Sequence, residues 1–269
     1  MIPIKDNIPT DRFAFVTVAL IVANFVVYIL AIRHGGSFIN GPDLHEVVKY
    51  GAIPYALTHP GTHCAEVVRH TALGTSGPEL LCNTRLLNAN HIPAENLLPS
   101  WQTIFTAMFM HANILHIAGN MLFLWIFGNN VEDSMGYVKF IVFYLLGGIA
   151  AFGLQVAVSP NSTAPTLGAS GAIAAVLGGY ILIYPRARVL TLVIIIFFFT
   201  VIEIPAWVML GVWFAQQAVF GAVGFTSPTG AAGGGVAYYA HIGGFLFGLL
   251  VIRLLATKRK RPVPQHPVY

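Results

Sequence analysis

The sequence predicts an all-α polytopic membrane protein, a bundle of six transmembrane helices with a long outer loop between the first and the second. Three observations carry that expectation. Of 269 residues, 56% are hydrophobic and only 9% charged, with a mean hydropathy of +0.73, so too little polar surface exists to cover a soluble core and the bilayer must be the main solvent. The apolar residues fall in blocks long enough to cross about 30 Å of hydrocarbon, which takes roughly 20 residues of helix. The basic residues between those blocks divide unevenly between the two sides.

The expected spans lie near 13–32, 103–127, 138–158, 169–185, 205–222 and 236–256. The first reads as a retained helix rather than a signal peptide, because no small-residue cleavage site follows Ile32 and Arg33 ends it abruptly. The stretch 189–202, VLTLVIIIFFFTVI, is apolar enough for a seventh span but runs straight into Glu203 and Pro205. Charge decides against a seventh span. With six spans and a cytoplasmic N-terminus, Lys5, Arg12, Lys139, Arg186, Arg188, Arg253 and Lys258 to Arg261 face inward, while Arg33, Lys49, Arg69 and Arg85 face outward. That division obeys the positive-inside rule, and a seventh span would reverse it for the C-terminal cluster. Residues 189–202 are therefore expected to be an interfacial or re-entrant lead-in to the fifth helix.

This divides the chain into a cytoplasmic N-terminus (1–12), a membrane domain (13–257) and a basic cytoplasmic tail (258–269). The net charge of +4 serves orientation, and no nucleic-acid partner is expected; the tail KRKRPVPQH reads as a stop-transfer anchor. The outer loop, 33–100, holds six of the ten histidines and both cysteines. Cys64 and Cys82 are candidates for a disulfide in an oxidising compartment. A metal site of His63, Cys64, His70 and Cys82 is the weaker alternative, because no close CxxC or HxxxH pairing supports it.

Polar residues inside membrane helices are costly unless paired or facing water, so each is a candidate functional group. HANILHIAGN in the second span carries His111, His116 and Asn120. On a continuous helix His116 and Asn120 lie about 40° apart on one face, with His111 about 140° away from His116 and serving a separate, supporting contact. The fourth span opens with GASGAIAAVLGG, which places Ser170 between Gly168 and Gly171 at a helix N-terminus. Free N–H groups and the positive end of the helix dipole there suit a developing oxyanion. Ser170, Ala174 and Gly178 form a small-residue stripe, and the sixth span offers a matching one in Ala240, Gly244 and Gly248, with His241 beside it. If the stripes pack together, the Ser170 hydroxyl and a His241 nitrogen come within reach as nucleophile and general base. Taken one at a time these motifs leave alternatives open: GxSG in a membrane helix is more often a packing motif, and two membrane histidines can also ligate haem.

Together the motifs decide more. HANILHIAGN followed by GNNVED, GASG and AHIGGFLFG, in that order between Trp101 and Leu250, resembles the rhomboid family of intramembrane serine proteases, of the prokaryotic type. The resemblance implies that Ser170 is the nucleophile and His241 the base, with no acidic third member. It also implies that His116 and Asn120, with the Ser170 N–H, form the oxyanion hole, and that His111 is supportive. The implied activity is cleavage of transmembrane protein substrates near their outer ends, without a cofactor, in a prokaryotic cell membrane with both termini cytoplasmic. A family relative that binds transmembrane clients without cutting them is the alternative, and retention of both Ser170 and His241 argues against it. Two positions depart from the family pattern. Trp101 is followed by Gln102 where an arginine is common, and Ala174 stands where an aromatic residue usually stacks on the histidine. The fifth helix and the glycine-rich stretch TSPTGAAGGG before the sixth are the expected gates.

Overall fold

The computed structural model describes residues 2–71, 74–195, 198–226 and 237–257. The basic tail 258–269, and the TSPTGAAGGG gate except for Thr226, lie outside the described residues. In chain order the elements are β1 (Ile2–Asp6), α1 (Phe15–Ala31), α2 (Leu44–Tyr50), α3 (Pro54–Thr58), β2 (Cys64–Thr71), β3 (Gly74–Cys82), α4 (Thr84–Ala89) and α5 (Ser100–Ala107). There follow α6 (Ile114–Phe123), a π-helical turn (Leu124–Gly128), α7 (Asn129–Met135), α8 (Tyr137–Val158), α9 (Ser170–Ile183), β4 (Arg188–Ile195), β5 (Phe198–Pro205), α10 (Ala206–Thr226) and α11 (Tyr238–Leu255).

Among the described residues five helical stretches are long and apolar enough to cross a membrane: Phe15–His34, Ile114–Met135, Tyr137–Val158, Ala206–Val223 and Tyr238–Leu255. The protein is thus a helical polytopic membrane protein. The sixth expected span, α9, has only 14 residues and is buried along almost its whole length. It needs little lipid-facing length because other helices, rather than lipid, surround it.

Glycine explains how closely they surround it. A Cβ on Gly178 would stand 2.1 Å from the Phe245 carbonyl oxygen, one on Gly244 2.0 Å from that of Gly171, and one on Gly248 2.0 Å from that of Ala175. The backbones of α9 and α11 are therefore in direct contact, the arrangement small residues permit when lipid offers no hydrophobic drive to association. The expected stripes do meet, with Gly171 and Ala175 sharing the α9 side of the seam.

One expectation is corrected and another given its form. The second span does not run 103–127. Asn113 takes extended backbone and its side chain accepts the His116 N–H at 2.8 Å, an N-cap that starts a new helix. The expected span is consequently split into α5 and a separate α6–α7 rod, joined by non-helical residues 108–113. The stretch 189–202 is not a span, as expected, and its lead-in to the fifth helix is built of strands. It forms the antiparallel β4–β5 hairpin, paired from Arg188↔Pro205 to Ile195↔Phe198, and β1 adds a third strand against β4. A run so rich in Val, Ile, Phe and Thr favours strand over helix once a partner strand supplies its hydrogen bonds. The sheet sits at the end of the bundle where α1, α8 and α10 begin and α11 finishes.

The 33–100 segment covers the opposite end and is ordered by its own small core around Val48, Ile53, Ala56 and Cys64. Cys64 and Cys82 are directly paired across the β2–β3 hairpin and joined by a disulfide, S–S 2.11 Å. The pairing removes these cysteines from the alternative metal set.

Candidate active site

Each site residue is placed by a local device. Asn113 begins α6 and so puts His116 in its first turn and Asn120 one turn later. The start of α6 is also clamped from the 33–100 segment, where Ile114 N–H donates to the Ile39 carbonyl and a Cβ on Gly41 would stand 2.1 Å from the Ala112 carbonyl oxygen. Before α9 the chain turns through Gly168, whose φ of +116° is disfavoured for residues with a side chain. That turn is pinned by Gly168 N–H donating to the Ala107 carbonyl at 2.8 Å. Behind it, Thr166 and Ala52 exchange two backbone hydrogen bonds, which ties the approach to α9 to the 33–100 segment.

Ser170 then stands at the first position of α9, and His241 in the first turn of α11. The α9–α11 seam brings His241 Nε2 to 2.8 Å from Ser170 Oγ. The histidine is 9% exposed.

His116 and Asn120 share one face of α6, and both converge on the turn before Ser170. A Cβ on Gly168 would meet His116 Nε2 at 2.8 Å and Asn120 Nδ2 at 3.6 Å. His116 Nδ1 accepts the Ala112 N–H at 3.3 Å, which leaves the ring proton on Nε2, the nitrogen facing Gly168. Asn120 Nδ2 is buried and has no acceptor among the described residues. Two N–H donors with no described partner and the free amides of the α9 N-terminus thus face the same place.

His111 does not lie on the same helix as His116, contrary to the helical projection. It precedes the Asn113 cap, and its ring stands edge-on to His116, 5.1 Å between centroids. Its Nδ1 pairs with the Phe109 carbonyl at 3.3 Å and its Nε2 accepts the Ala169 N–H at 3.5 Å. A single tautomer, protonated on Nδ1, satisfies both. His111 is 1% exposed and reaches the turn that presents Ser170. Gly171 and Ala240 face one another where α9 meets α11 beside the pair, and Gly244 packs one turn further along.

Sequence reasoning missed two residues, both on α10. Gln217 Oε1 lies 2.8 Å from His241 Nδ1, and the Trp213 ring is tilted 33° to His241 with 5.9 Å between centroids. The signal was present: Gln216–Gln217 is a polar pair in an otherwise apolar helix, the kind of residue a bilayer tolerates only when it has a task. No aromatic ring stands at Ala174, and Trp213 supplies one from another helix.

Ser170, His241, His116, Asn120 and Trp213 line one cavity of about 1180 Å³, with Ala151, Phe152, Gln155 and the 158–168 turn completing its wall.

Residues 99–258 match the Rhomboid domain family. The chain is 33% identical over 161 residues to Rhomboid-like protein 11, chloroplastic, of Arabidopsis thaliana, covering 59% of this chain and 54% of that protein. It is 30% identical over 172 residues to Rhomboid protein 1, mitochondrial, of Saccharomyces cerevisiae, covering 62% and 45%. Over 78 residues it is 38% identical to Rhomboid protease GluP of Bacillus subtilis, covering 29% and 15%. The chain spans about half the length of the first two of these relatives.

Proposed function

The chain belongs to the rhomboid family, and from that premise we propose that it is a serine endopeptidase that cuts transmembrane segments of membrane proteins, with Ser170 as nucleophile and His241 as base. The observation that carries this reading is the 2.8 Å contact between Ser170 Oγ and His241 Nε2 inside a cavity shared with two converging N–H donors.

His241 Nε2 takes the hydroxyl proton as Ser170 Oγ adds to the scissile carbonyl carbon. The carbonyl π pair moves to oxygen, and the oxyanion is held by His116 Nε2–H, Asn120 Nδ2–H and the Ser170 N–H. Collapse of the intermediate breaks the C–N bond, and His241 gives its proton to the departing amine. Water then repeats the sequence against the acyl-enzyme and frees Ser170. The cavity is larger than the roughly 300–1,000 Å³ of a small-molecule site, as an extended stretch of polypeptide requires. A substrate helix has to unwind to enter it, because a helical peptide bond is shielded by its own hydrogen bonds; segments with small or helix-breaking residues are the natural clients.

The orientation we propose follows the charges. Lys5, Arg12, Lys139, Arg186, Arg188 and Arg253 belong to the end of the bundle that carries the three-stranded sheet, and this end faces the cytoplasmic side. Residues 33–100 and the cavity then face outward, so cutting occurs near the outer end of the substrate segment. The relatives' names place one in a chloroplast and one in a mitochondrion, while a third comes from a bacterium.

The test pairs a fluorophosphonate probe with a transmembrane reporter substrate in detergent or liposomes. Wild type labels and cuts, Ser170→Ala does neither, and His241→Ala cuts nothing. A wild type that neither labels nor cuts, yet retains the reporter on affinity resin, would establish client binding without proteolysis.

A further inference from the structure

A histidine that takes a proton at Nε2 must present that nitrogen bare, so its own proton has to sit on Nδ1. Neutral imidazole in water populates both tautomers, and a buried site has to choose one. The only group described within hydrogen-bond distance of His241 Nδ1 is Gln217 Oε1, at 2.8 Å. Gln217 is 6% exposed, so water does not compete freely for either partner. An amide oxygen accepts and does not donate, which makes Nδ1 the donor and leaves Nε2 to accept from Ser170.

We propose that Gln217 is a positioning residue that selects the Nδ1–H tautomer of His241 and fixes the plane of its ring. Trp213, one turn earlier on the same face of α10, sets its ring beside that of His241, tilted 33° with 5.9 Å between centroids. The reverse placement of the Gln217 amide would put the nitrogen against Nδ1 and the ring proton on Nε2. Ser170 would then accept rather than donate across the same 2.8 Å, and no base would exist. The dyad is thus completed by a neutral third residue contributed by α10, whereas α9 and α11 contribute the reacting pair. This inference rests on the Ser170–His241 reading given above for its kinetic consequence, but its structural content stands apart from catalysis.

The experiment uses the full chain in detergent micelles with ¹⁵N-labelled histidine, His241 being assigned by difference against His241→Gln. Wild type is expected to show His241 with the proton on Nδ1. Gln217→Leu, similar in size and without an acceptor, shifts the ring toward the Nε2–H form. It also lowers kcat by about 10- to 100-fold while KM stays within about twofold. Gln217→Glu keeps an acceptor of the same reach, retains the Nδ1–H form and restores at least about tenfold of the loss. A wild-type His241 protonated on Nε2, or a Gln217→Leu protein with unchanged tautomer and kcat within twofold, overturns the proposal. If Gln217→Leu does not fold, the wild-type and Gln217→Glu spectra decide. A wild type that shows the Nδ1–H form yet neither labels nor cuts defeats the protease reading and leaves the positioning of His241 intact.

Discussion

His116 Nδ1 accepts the backbone N–H of Ala112 at 3.3 Å, and this bond, made entirely within the α6 entrance, fixes which nitrogen of His116 can serve the site. The histidine is therefore a donor toward Gly168, and Asn120 Nδ2 is a second. Replacing either by alanine is expected to lower kcat by about 10²-fold or more, as loss of one oxyanion donor does elsewhere, with KM changed by less than about threefold. Steady-state cleavage of a transmembrane reporter measures both constants. Parallel rises in KM with kcat preserved would assign these residues to substrate binding instead.

Gly168 is the tightest point of the same region. Its φ of +116° and the 2.8 Å between a Cβ and His116 Nε2 leave no room for Gly168→Ala without moving the donor or the turn. We expect at least about a hundredfold loss of kcat from a protein whose melting temperature falls by only a few degrees, since the strain is of the order of 1–3 kcal/mol. Unchanged turnover in this variant would show that the turn does not position Ser170.

The α9–α11 seam makes a different prediction. In Gly178→Ala and Gly248→Ala the new methyl meets a backbone carbonyl, at 2.1 Å and 2.0 Å, and backbone cannot swing aside as a side chain can. Each is expected to cost about 3 kcal/mol or more and to separate Ser170 from His241. Gly153→Ala, where a Cβ meets nothing within 4 Å, is the control and should leave both stability and activity unchanged. Thermal unfolding in a fixed detergent compares all three.

Glu132 acts across 115 residues of sequence. Its carboxylate accepts the Val16 and Thr17 N–H groups and the Thr17 hydroxyl, at 3.0, 2.7 and 2.7 Å. These N–H groups belong to the first turn of α1, which has no side-chain cap of its own. Glu132→Gln weakens charge-assisted bonds at a helix N-terminus and is expected to cost about 1–3 kcal/mol. Because α1 lies away from the cavity, kcat of the folded fraction should stay within about twofold.

Asp6 introduces a dependence on pH. It is buried between β1 and the bundle, where one carboxylate oxygen accepts from Asn130 Nδ2 and the Tyr180 hydroxyl. Burial raises its pKa to about 6, against the lowering effect of the Tyr180 hydrogen bond. A carboxyl raised in the folded state contributes stability that is complete below its unfolded value near 4 and lost as pH climbs through 6. Wild type should thus lose up to about 3 kcal/mol relative to Asp6→Asn between pH 4 and pH 7. Melting temperatures of the two proteins that run parallel over that range would contradict the assignment.

Much of this was legible in the residues. Apolar blocks marked the spans, and for α1, α8, α9, α10 and α11 the boundaries fell within a few residues of the expected ones. That is because hydrocarbon thickness and the cost of unpaired backbone leave a membrane segment few choices. His116 and Asn120 shared a face because both follow the Asn113 cap, so the 100° projection held within one helix. The same projection failed for His111, since one capping side chain at Asn113 ended the regularity it assumed. The strand character of 188–205 was not legible because a run of apolar residues has no period, and the strand that pairs with it, β1, lies more than 180 residues earlier. Composition alone could not supply that partner.

The sequence by itself determined that the chain is a helical membrane protein and which five polar side chains were candidates for its chemistry, because burying such groups in lipid is too costly to occur without a task. Tertiary structure alone decided which group satisfies His241 Nδ1, and from which helix. Ala174 told us what was missing beside His241. Only the docking of α10 against α11 supplies Gln217 and Trp213 in its place, because a hydrogen bond 2.8 Å long between residues 24 apart depends on how helices pack and leaves no trace in the spacing of the chain.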